Sequence, residues 1–466
     1  MDYVSTRGAA PRLGFADVLL AGLAADGGLY VPAAWPELTP AALGALAGLP
    51  YAEAAHTVVA PYVGDALAAD DLSRLLREAY AGFDHPDVAP LVEIADGQWL
   101  LELFHGPTLA FKDLALQLLG RLFDHLLARR GERATVLGAT SGDTGSAAIH
   151  AFRGRPNVDI FILHPEGRVS EVQRRQMTCV ADTNVHNIAV RGTFDDCQAL
   201  VKAMFNDPPF RRAHRLSSVN SINWARVMAQ AVYYCTAAAK LGLPAQGVAF
   251  AVPTGNFGDV YAGYVAHRMG LGVWRLMVAT NRNDILARAL RQGDYHLGPV
   301  HATISPSMDI QVSSNFERLL FELYDRDGAA VAALMDGLAR HGGFEIPQAR
   351  LARLRALFDA ASIGEDETLA TIGRVHAECG RLIDPHTAVG VAAARRLAPP
   401  EGVPVVMLAT AHPAKFPDAV ARATGRRPPP PPALAALMDA SERFAVLDRD
   451  LGQIQDYIRA HAAAAA

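Results

Sequence analysis

Lys112 is the residue of this chain whose type and position point most directly to chemistry. An apolar run over residues 99–104, typical of a strand, ends at a Gly-Pro turn, and a helical pattern follows over about 111–130. The lysine is therefore predicted to lie in the first turn of a helix, where the macrodipole disfavours a cation by about 0.3–1 kcal/mol. A lysine whose charged form is disfavoured can act as a nucleophilic amine and form a Schiff base. Taken alone, a solvated surface lysine explains the position at least as well.

Two glycine-containing loops each follow a predicted strand and precede a predicted helix, at residues 138–145 and 253–259. Glycine lets a backbone approach a ligand closely, and the N–H groups at a helix start bind anions. Neither loop has the dinucleotide fingerprint or the lysine of a P-loop. We therefore interpret both as candidate phosphate or carboxylate sites, although ordinary helix capping predicts the same residue types. The hydroxyl-bearing residues of the loops are Thr140, Ser141, Thr144 and Thr254.

A third candidate anion site lies in the segment 217–226. Asn220 and Ser221 stand at a predicted helix start, and Arg226 follows between one and two helical turns later. An arginine beside amide and hydroxyl donors suits a dianionic phosphate. From this segment alone, a surface ion pair between Arg226 and a carboxylate is an equally good explanation.

The predicted secondary structure around these residues alternates between strand and helix, which indicates an α/β fold with parallel-rich twisted sheets flanked by helices. Further strands are predicted at 134–138, 158–163, 187–190, 247–252, 274–279 and 403–408. Residues 316–381 have a mostly helical pattern. We divide the chain into an N-terminal, mostly helical extension (1–95), a catalytic region of two α/β lobes (96–425), and a proline-rich connector with a helical tail (426–466).

Bulk composition excludes several classes of protein. The chain has 466 residues and a net charge of −5, which gives no basic footprint for nucleic acid. Its four cysteines lack metal-ligand spacing and favour a reducing compartment, so we expect a cytoplasmic protein and no metal. No apolar run reaches the roughly 18 residues of a membrane-spanning helix. Asp17 interrupts the one segment that is faintly similar to a signal peptide, and we interpret that segment as mature structure.

Taken together, the motifs resemble threonine synthase, a pyridoxal-phosphate (PLP) family of the tryptophan-synthase-like fold type II. The likeness runs in order from the first residues to about residue 420, and it is greatest to the bacterial and fungal branch with a long N-terminal extension. The matching segments are 5–8, 26–32, 103–113, 139–147, 220–223, 253–259 and 409–416. Their common order makes the set far more specific than any single motif.

The resemblance implies a role for each candidate residue. Lys112 would hold the cofactor as an imine, Thr410 would hydrogen-bond the pyridine nitrogen, and Asp143 would lie beside the phenolic oxygen. The cofactor phosphate would be held by Gly255, Asn256, Phe257 and Gly258. The substrate carboxylate would be held by Thr140, Ser141 and Thr144. The substrate phosphate would be held by Asn220, Ser221 and Arg226.

The implied reaction converts O-phospho-L-homoserine and water to L-threonine and phosphate, by γ-elimination and β-hydration, in threonine biosynthesis. The enzyme would be a carbon–oxygen lyase acting on phosphates. A hydroxyl such as that of Thr410 would not keep the pyridine nitrogen protonated, which suits elimination and replacement better than transamination. The expected partner is the small-molecule substrate, with neither nucleic acid nor membrane, and the protein is expected to be a monomer or homodimer.

Asp143 departs from the wider fold type, whose members often carry Asn at this position. An ionised aspartate accepts hydrogen bonds but cannot donate one. We therefore hypothesise that Asp143 favours a proton on the cofactor's phenolic oxygen.

Three alternatives stay open at the level of sequence. The nearest is a phospho-lyase of the same fold that releases 2-oxobutyrate. The second is a catalytically inactive relative with a binding role, and the third is a nucleotide-binding enzyme, against which the missing fingerprints weigh. No catalytic role is assigned to His105, His412 or Lys415.

Overall fold

The computed structural model describes residues 1–140, 142–218 and 220–463, which form two compact units. The first unit comprises residues 1–18, 23–111 and 221–429, and the second comprises 19–22, 112–220 and 430–463. These units cut across the three regions expected from the sequence, because strands far apart in the chain pair with one another.

The strands are β1 (Asp2–Ser5), β2 (Leu13–Gly14), β3 (Tyr30–Pro32), β4 (Leu91–Ala95), β5 (Gln98–Glu102), β6 (Ala134–Ala139), β7 (Val158–Pro165), β8 (Val185–Arg191), β9 (Leu216–Ser217), β10 (Val248–Pro253), β11 (Val273–Thr280), β12 (Asp294–His296), β13 (Gly343–Glu345), β14 (Phe358–Ser362), β15 (Val405–Ala409) and β16 (Ala445–Asp448).

The α-helices are α1 (Phe15–Ala21), α2 (Pro40–Ala45), α3 (Tyr51–Val63), α4 (Ala69–Tyr80), α5 (Lys112–Arg130), α6 (Asp143–Phe152), α7 (Glu171–Thr178), α8 (Phe194–Phe205), α9 (Pro208–Ala213), α10 (Trp224–Lys240), α11 (Gly258–Arg268), α12 (Ile285–Gln292), α13 (Phe316–Leu323), α14 (Gly328–His341), α15 (Gln348–Arg355), α16 (Glu365–Cys379), α17 (Pro385–Leu397), α18 (Pro417–Thr424), α19 (Pro432–Met438) and α20 (Leu451–His461).

The main sheet of the first unit has the strand order β14–β11–β10–β15–β5–β4 and is parallel except for β4. Every residue of the central strand β10 is buried, as the unbroken apolar run of a strand covered on both faces requires. A small antiparallel sheet, β2–β1–β3, and an antiparallel pair, β12–β13, complete the unit.

The sheet of the second unit has the order β16–β8–β7–β6–β9, with all neighbours parallel. The C-terminal tail is part of this unit. It supplies β16 to the sheet edge, and Ile454 and Ile458 of α20 pack in the same apolar core as Leu163 and Val190.

The α/β fold class with parallel sheets is confirmed, and each further strand predicted from residue 134 onward overlaps an observed strand. Three expectations were incomplete. The N-terminal region also contains β1–β4, the helical stretch 316–381 also contains β13 and β14, and the tail also contains β16. The missed strands are short, and β14 contains Asp359 and two alanines, which have low strand propensity; pairing with β11 overrides it. Among the described residues, no helix is both long and apolar enough to cross a bilayer.

An ion pair fastens the C-terminal tail to α7. Arg174 donates from Nε and Nη2 to the two carboxylate oxygens of Glu442, at 2.8 and 2.9 Å, and the Thr178 hydroxyl donates to the same group at 2.7 Å. The hydrogen bonds from Arg174 lower the pKa of Glu442 to about 2.

Glu442→Gln should destabilise the protein by about 1 kcal/mol at pH 7, a value reduced by the solvent that reaches this pair. Because the folded-state pKa is depressed, the stabilisation is fully present above the unfolded-state pKa of about 4.3 and is lost as pH falls toward 2. Urea unfolding of wild type and variant between pH 7 and pH 3 measures the difference. Glu401→Gln, at an exposed turn, is the control. A difference that stayed constant across this range would contradict the assignment.

Candidate functional site

Lys112 is the first residue of α5, so its predicted place in the first turn of a helix is confirmed. The residue is only 9% exposed, and its Nζ lies 3.8 Å from Oδ2 of Asp143. At an effective dielectric constant of about 20, opposite charges at that separation attract by about 4 kcal/mol before desolvation is counted. This exceeds the roughly 0.3–1 kcal/mol by which the helix dipole opposes the ammonium. Asp143 therefore supplies an opposite charge close to Lys112.

The Asp143 carboxylate is held by a side chain that the sequence did not single out. Gln173 on α7 donates from Nε2 to Asp143 Oδ1 at 2.9 Å. The hydroxyl of Ser170, the N-cap of α7, donates to Gln173 Oε1 at 3.0 Å. With Oε1 engaged as an acceptor, the amide must present its N–H groups to Asp143. Gln173 therefore favours the ionised form of Asp143 and leaves Oδ2 toward Lys112.

The loop between β6 and α6 is shaped by Thr140. Its hydroxyl oxygen accepts from the backbone N–H of Gly142 at 3.1 Å and of Gly145 at 3.0 Å, and the residue is buried. A Cβ at Gly145 would lie 2.3 Å from Cγ2 of Thr140 and 2.9 Å from Sδ of Met177, so this position accepts only glycine unless both side chains shift. Thr144 is half-buried in the first turn of α6, and Ser141 lies outside the described residues.

In the first unit, the loop 254–258 joins β10 to α11. Phe257, the N-cap of α11, has a left-handed backbone (φ 62°), and the helix follows directly. A left-handed residue next to a helical one turns successive N–H groups to one side, which makes a concave anion site at the positive end of the helix. The Phe257 ring packs in the core against Phe316 and Phe358, so only its backbone is available to a ligand.

A serine–serine–asparagine segment before α13 fixes this loop, and the sequence reasoning did not identify it. Ser313 Oγ donates to the Gly255 carbonyl at 2.8 Å. Asn315 donates to the Asn256 carbonyl from its backbone N–H at 3.1 Å and from Nδ2 at 3.0 Å. The only signal in the sequence was a cluster of capping residues at the start of a predicted helix, which is common at ordinary helix starts.

The segment 221–226 lies beside this loop in the same unit. Nδ2 of Asn315 also donates to the Ser221 carbonyl, at 3.2 Å, so one amide joins both segments. Arg226 lies in the first turn of α10 and is 4% exposed, and burial lowers its pKa to about 10, which still leaves the guanidinium charged at neutral pH. Asn220 is exposed and belongs to the second unit.

Thr410 directly follows β15 and is buried. Its carbonyl accepts from the Phe111 N–H at 2.9 Å. Nζ of the buried Lys415 donates to the Thr108 carbonyl at 2.7 Å, so Lys415 braces the chain just before α5.

The two histidines that received no catalytic role are engaged in local structure. His412 Nδ1 accepts from the Ala414 N–H at 3.1 Å, and burial lowers the pKa of this histidine. His105 lies between Asp84 and Glu102, at 2.7 and 2.9 Å. Burial lowers the pKa of His105, but the hydrogen bonds to the two carboxylates outweigh it, and the net pKa is raised.

Family models match most of the chain. The model described as threonine synthase N terminus matches residues 2–80, that of pyridoxal-phosphate dependent enzymes matches 88–336, and that of threonine synthase, C-terminal, matches 387–458. A threonine synthase of Pseudomonas aeruginosa is 54% identical over 462 residues, which cover 99% of this chain and 98% of the relative.

Solved structures of threonine synthases are also similar to this chain. The PLP-bound threonine synthase from Brucella melitensis superposes with a TM-score of 0.98 at 56% identity, over 100% of both chains. The yeast threonine synthase superposes with a TM-score of 0.94 at 39% identity, over 98% of both chains.

Gly145→Ala should destabilise the protein by about 1–3 kcal/mol, because the new methyl group overlaps the Thr140 side chain. Removing Cγ2 with Thr140→Ser keeps the hydroxyl and opens that space, so the double variant should regain part of the loss. Urea denaturation of the two single variants and the double variant measures this.

Gly337→Ala is the matched control, since a Cβ there meets no atom closer than 3.6 Å. In the middle of α14, it should be neutral or stabilise the protein by up to about 1 kcal/mol. If the effects of the two single variants simply added in the double variant, Cγ2 of Thr140 would not limit the space at residue 145.

Proposed function

The chain belongs to the threonine synthase family of PLP-dependent lyases, and from that premise we propose that it converts O-phospho-L-homoserine and water to L-threonine and phosphate. The observation that carries the proposal is the buried Lys112, at the start of α5 with the Asp143 carboxylate at 3.8 Å. The low cysteine content supports a reducing compartment, and we extend the proposal to the cytoplasm.

The residues present fit PLP. The loop 254–258 offers a concave set of N–H groups at the start of α11, which suits a phosphate dianion. A Cβ at Gly258 would lie 3.3 Å from Asn315 Nδ2, so glycine keeps this cradle compact. We assign the cofactor phosphate to Gly255, Asn256, Phe257 and Gly258, the pyridine nitrogen to the Thr410 hydroxyl, and the carbonyl carbon to Lys112 Nζ.

When bound, PLP supplies an electron sink that makes the substrate's Cα and Cβ protons acidic. The remaining work is done by this chain's own side chains. Lys112 Nζ accepts the proton from Cα and then a proton from Cβ, as phosphate leaves from Cγ. It returns one proton to Cγ, which becomes the methyl group, and one to Cα, while water adds its hydroxyl at Cβ and its remaining proton goes to the released phosphate. A single amine serves as base and then as acid, and the Asp143 carboxylate stabilises it each time it is protonated.

For the substrate's anionic groups, we propose Asn220, Ser221 and Arg226 at the phosphate. Arg226 supports this role because it is a cation within one turn of the α10 start. For the carboxylate we propose the start of α6 with Ser141 and Thr144. Thr140 completes this loop by shaping it, since its hydroxyl already accepts from two loop N–H groups.

Wild-type enzyme should form threonine and phosphate in equal amounts from O-phospho-L-homoserine, and Lys112→Ala should lower turnover by at least about 10³-fold, because it removes both the attachment point and the proton carrier. The variant should also lose the visible absorbance of the bound cofactor. Amino-acid analysis, a phosphate assay and a visible spectrum measure these outcomes.

Lys202→Ala is the matched control, since Lys202 is exposed on α8. 2-Oxobutyrate in place of threonine would identify a phospho-lyase of the same fold instead. A Lys112→Ala protein that stayed active and kept the visible absorbance of the bound cofactor would contradict the assignment of Lys112.

Asp143→Asn should change the pH dependence of the cofactor's absorbance, because an amide donates to the phenolic oxygen where an ionised carboxylate requires that oxygen to carry the proton. The variant is expected to favour the deprotonated phenolate at a lower pH than wild type. Spectra recorded between pH 6 and pH 9 measure the shift.

Asp195→Asn controls for the loss of a carboxylate in the first turn of a helix, here α8, at an exposed position. Superimposable titrations of wild type and Asp143→Asn would refute this role of Asp143.

A further inference from the structure

The N-terminal region makes a partly buried ion pair with α13. Thr6 Oγ1 donates to Glu317 Oε1 at 2.6 Å, and Arg7 donates from Nε and Nη2 to the two oxygens of the same carboxylate, both at 3.0 Å. The Glu317 side chain is 7% exposed. The Thr6 hydroxyl also accepts from the Leu29 N–H at 2.8 Å, so it is engaged as donor and as acceptor. A bidentate pair of this kind fixes direction as well as distance.

The next residue of α13 makes a second connection to the N-terminal region. Arg318 is fully buried and donates from Nε and Nη2 to the Tyr30 carbonyl at the start of β3, at 3.1 and 3.0 Å. Nη2 also donates to the Ile222 carbonyl at 2.6 Å, and Nη1 donates to Oδ1 of Asn315.

That last contact decides how the Asn315 amide is oriented. With Oδ1 accepting from Arg318, Nδ2 must face the carbonyls of Asn256 and Ser221, to which it donates at 3.0 and 3.2 Å. The start of α13 therefore touches the N-terminal region on one side, through Glu317 and Arg318, and both candidate phosphate segments on the other, through Asn315.

We propose that the N-terminal region acts as a buttress: through Glu317 and Arg318 it holds Asn315 in place, and Asn315 keeps the loop 254–258 and the Ser221 segment in their phosphate-binding geometry. Glu317, Arg318 and Asn315 are positioning residues. The identity of the phosphates rests on the function proposed above, but the mechanical coupling of the loop to residues 6 and 7 does not.

Preorganisation is the physical reason for such a buttress. A ligand that must order a mobile loop loses binding free energy to the conformational entropy of the loop, whereas N–H groups already in position bind at full strength. Weakening the Glu317 contacts should therefore loosen the loop and weaken cofactor affinity, while the chemistry at saturating cofactor changes less.

The test compares Glu317→Gln with Glu322→Gln. Glu322 lies farther along the same helix, is 8% exposed, and likewise binds an N-terminal residue, since Trp35 Nε1 donates to it at 3.3 Å. It also accepts from two arginines, from Arg268 Nη1 at 3.1 Å and from Arg326 Nε at 2.9 Å. Glu322→Gln should therefore lower thermal stability at least as much as Glu317→Gln does. Of these two glutamates, only Glu317 lies next to the contacts that Asn315 makes.

Hydrogen exchange of the backbone amides is measured on the full-length protein without cofactor. In Glu317→Gln, residues 254–258 and 221–223 should exchange on the order of tenfold faster than in wild type, and in Glu322→Gln they should not. Thr6→Val should accelerate exchange in the same segments. Thr6→Ser keeps the hydroxyl, so these segments should exchange at wild-type rates in that variant. Unchanged exchange in Glu317→Gln, or equal acceleration in Glu322→Gln, would overturn the buttress.

Titration of the same apo-proteins with PLP, followed by absorbance, separates this inference from the proposed function. The dissociation constant of Glu317→Gln should rise about tenfold or more, which is about 1.4 kcal/mol, with a smaller change in kcat at saturating PLP. Wild-type protein that bound no PLP would overturn the proposed function, while faster exchange in Glu317→Gln would still support the coupling. Wild-type affinity in Glu317→Gln would overturn the buttress alone.

Discussion

Lys112 stands at the N-terminal end of a buried helix, where both burial and the helix dipole oppose its positive charge, and Asp143 supplies the opposite charge 3.8 Å from its Nζ. An amine that acts as both base and acid requires opposing effects of this kind, because it must be able to gain a proton and to lose it again. The site in the second unit follows from this pair. Gln173 fixes the carboxylate, Ser170 fixes Gln173, and Thr140 closes the loop from which α6 begins.

Two side-chain amides, those of Gln173 and Asn315, are oriented by a neighbour that engages the amide oxygen. Gln173 has its oxygen engaged by Ser170 and therefore donates to Asp143, and Asn315 has its oxygen engaged by Arg318 and therefore donates to two carbonyls. In each case a neighbour that is not itself a candidate ligand contact determines what the amide presents. Ser170 and Arg318 thus determine whether each amide donates or accepts, although neither is a predicted binding residue. These neighbours matter because a buried donor or acceptor is costly to leave unsatisfied.

In the first unit, the N-terminal region contacts the start of α13, which in turn contacts the loop 254–258. Strand β3 and the turn after β1 supply a carbonyl, a hydroxyl and a guanidinium to the start of α13, and the same helix start supplies Asn315 to the loop 254–258. A phosphate cradle made of backbone N–H groups has no charged side chain to retain its ligand, so its affinity depends on how well the backbone is held.

The local features of this protein could be read from its amino-acid sequence. The helix start at Lys112, the two glycine loops and the longer parallel strands β6, β7, β8, β10, β11 and β15 were predictable, because apolar periodicity, glycine and capping residues act within a few positions along the chain. The order of the motifs likewise indicated the family. The short strands β14 and β16 were not predictable, since their own residues favour strand weakly and pairing with a neighbour decides the outcome.

Which polar groups contact one another depends on the folded chain. Gln173 is 30 residues from Asp143, Asn315 is 59 from Asn256, and Glu317 is 311 from Thr6. Nothing in the spacing of such residues marks them, because a hydrogen bond depends on two atoms within about 3 Å and not on sequence separation. The residues expected to touch ligands were therefore largely visible in the sequence, whereas those that orient them became visible only when the fold brought them together.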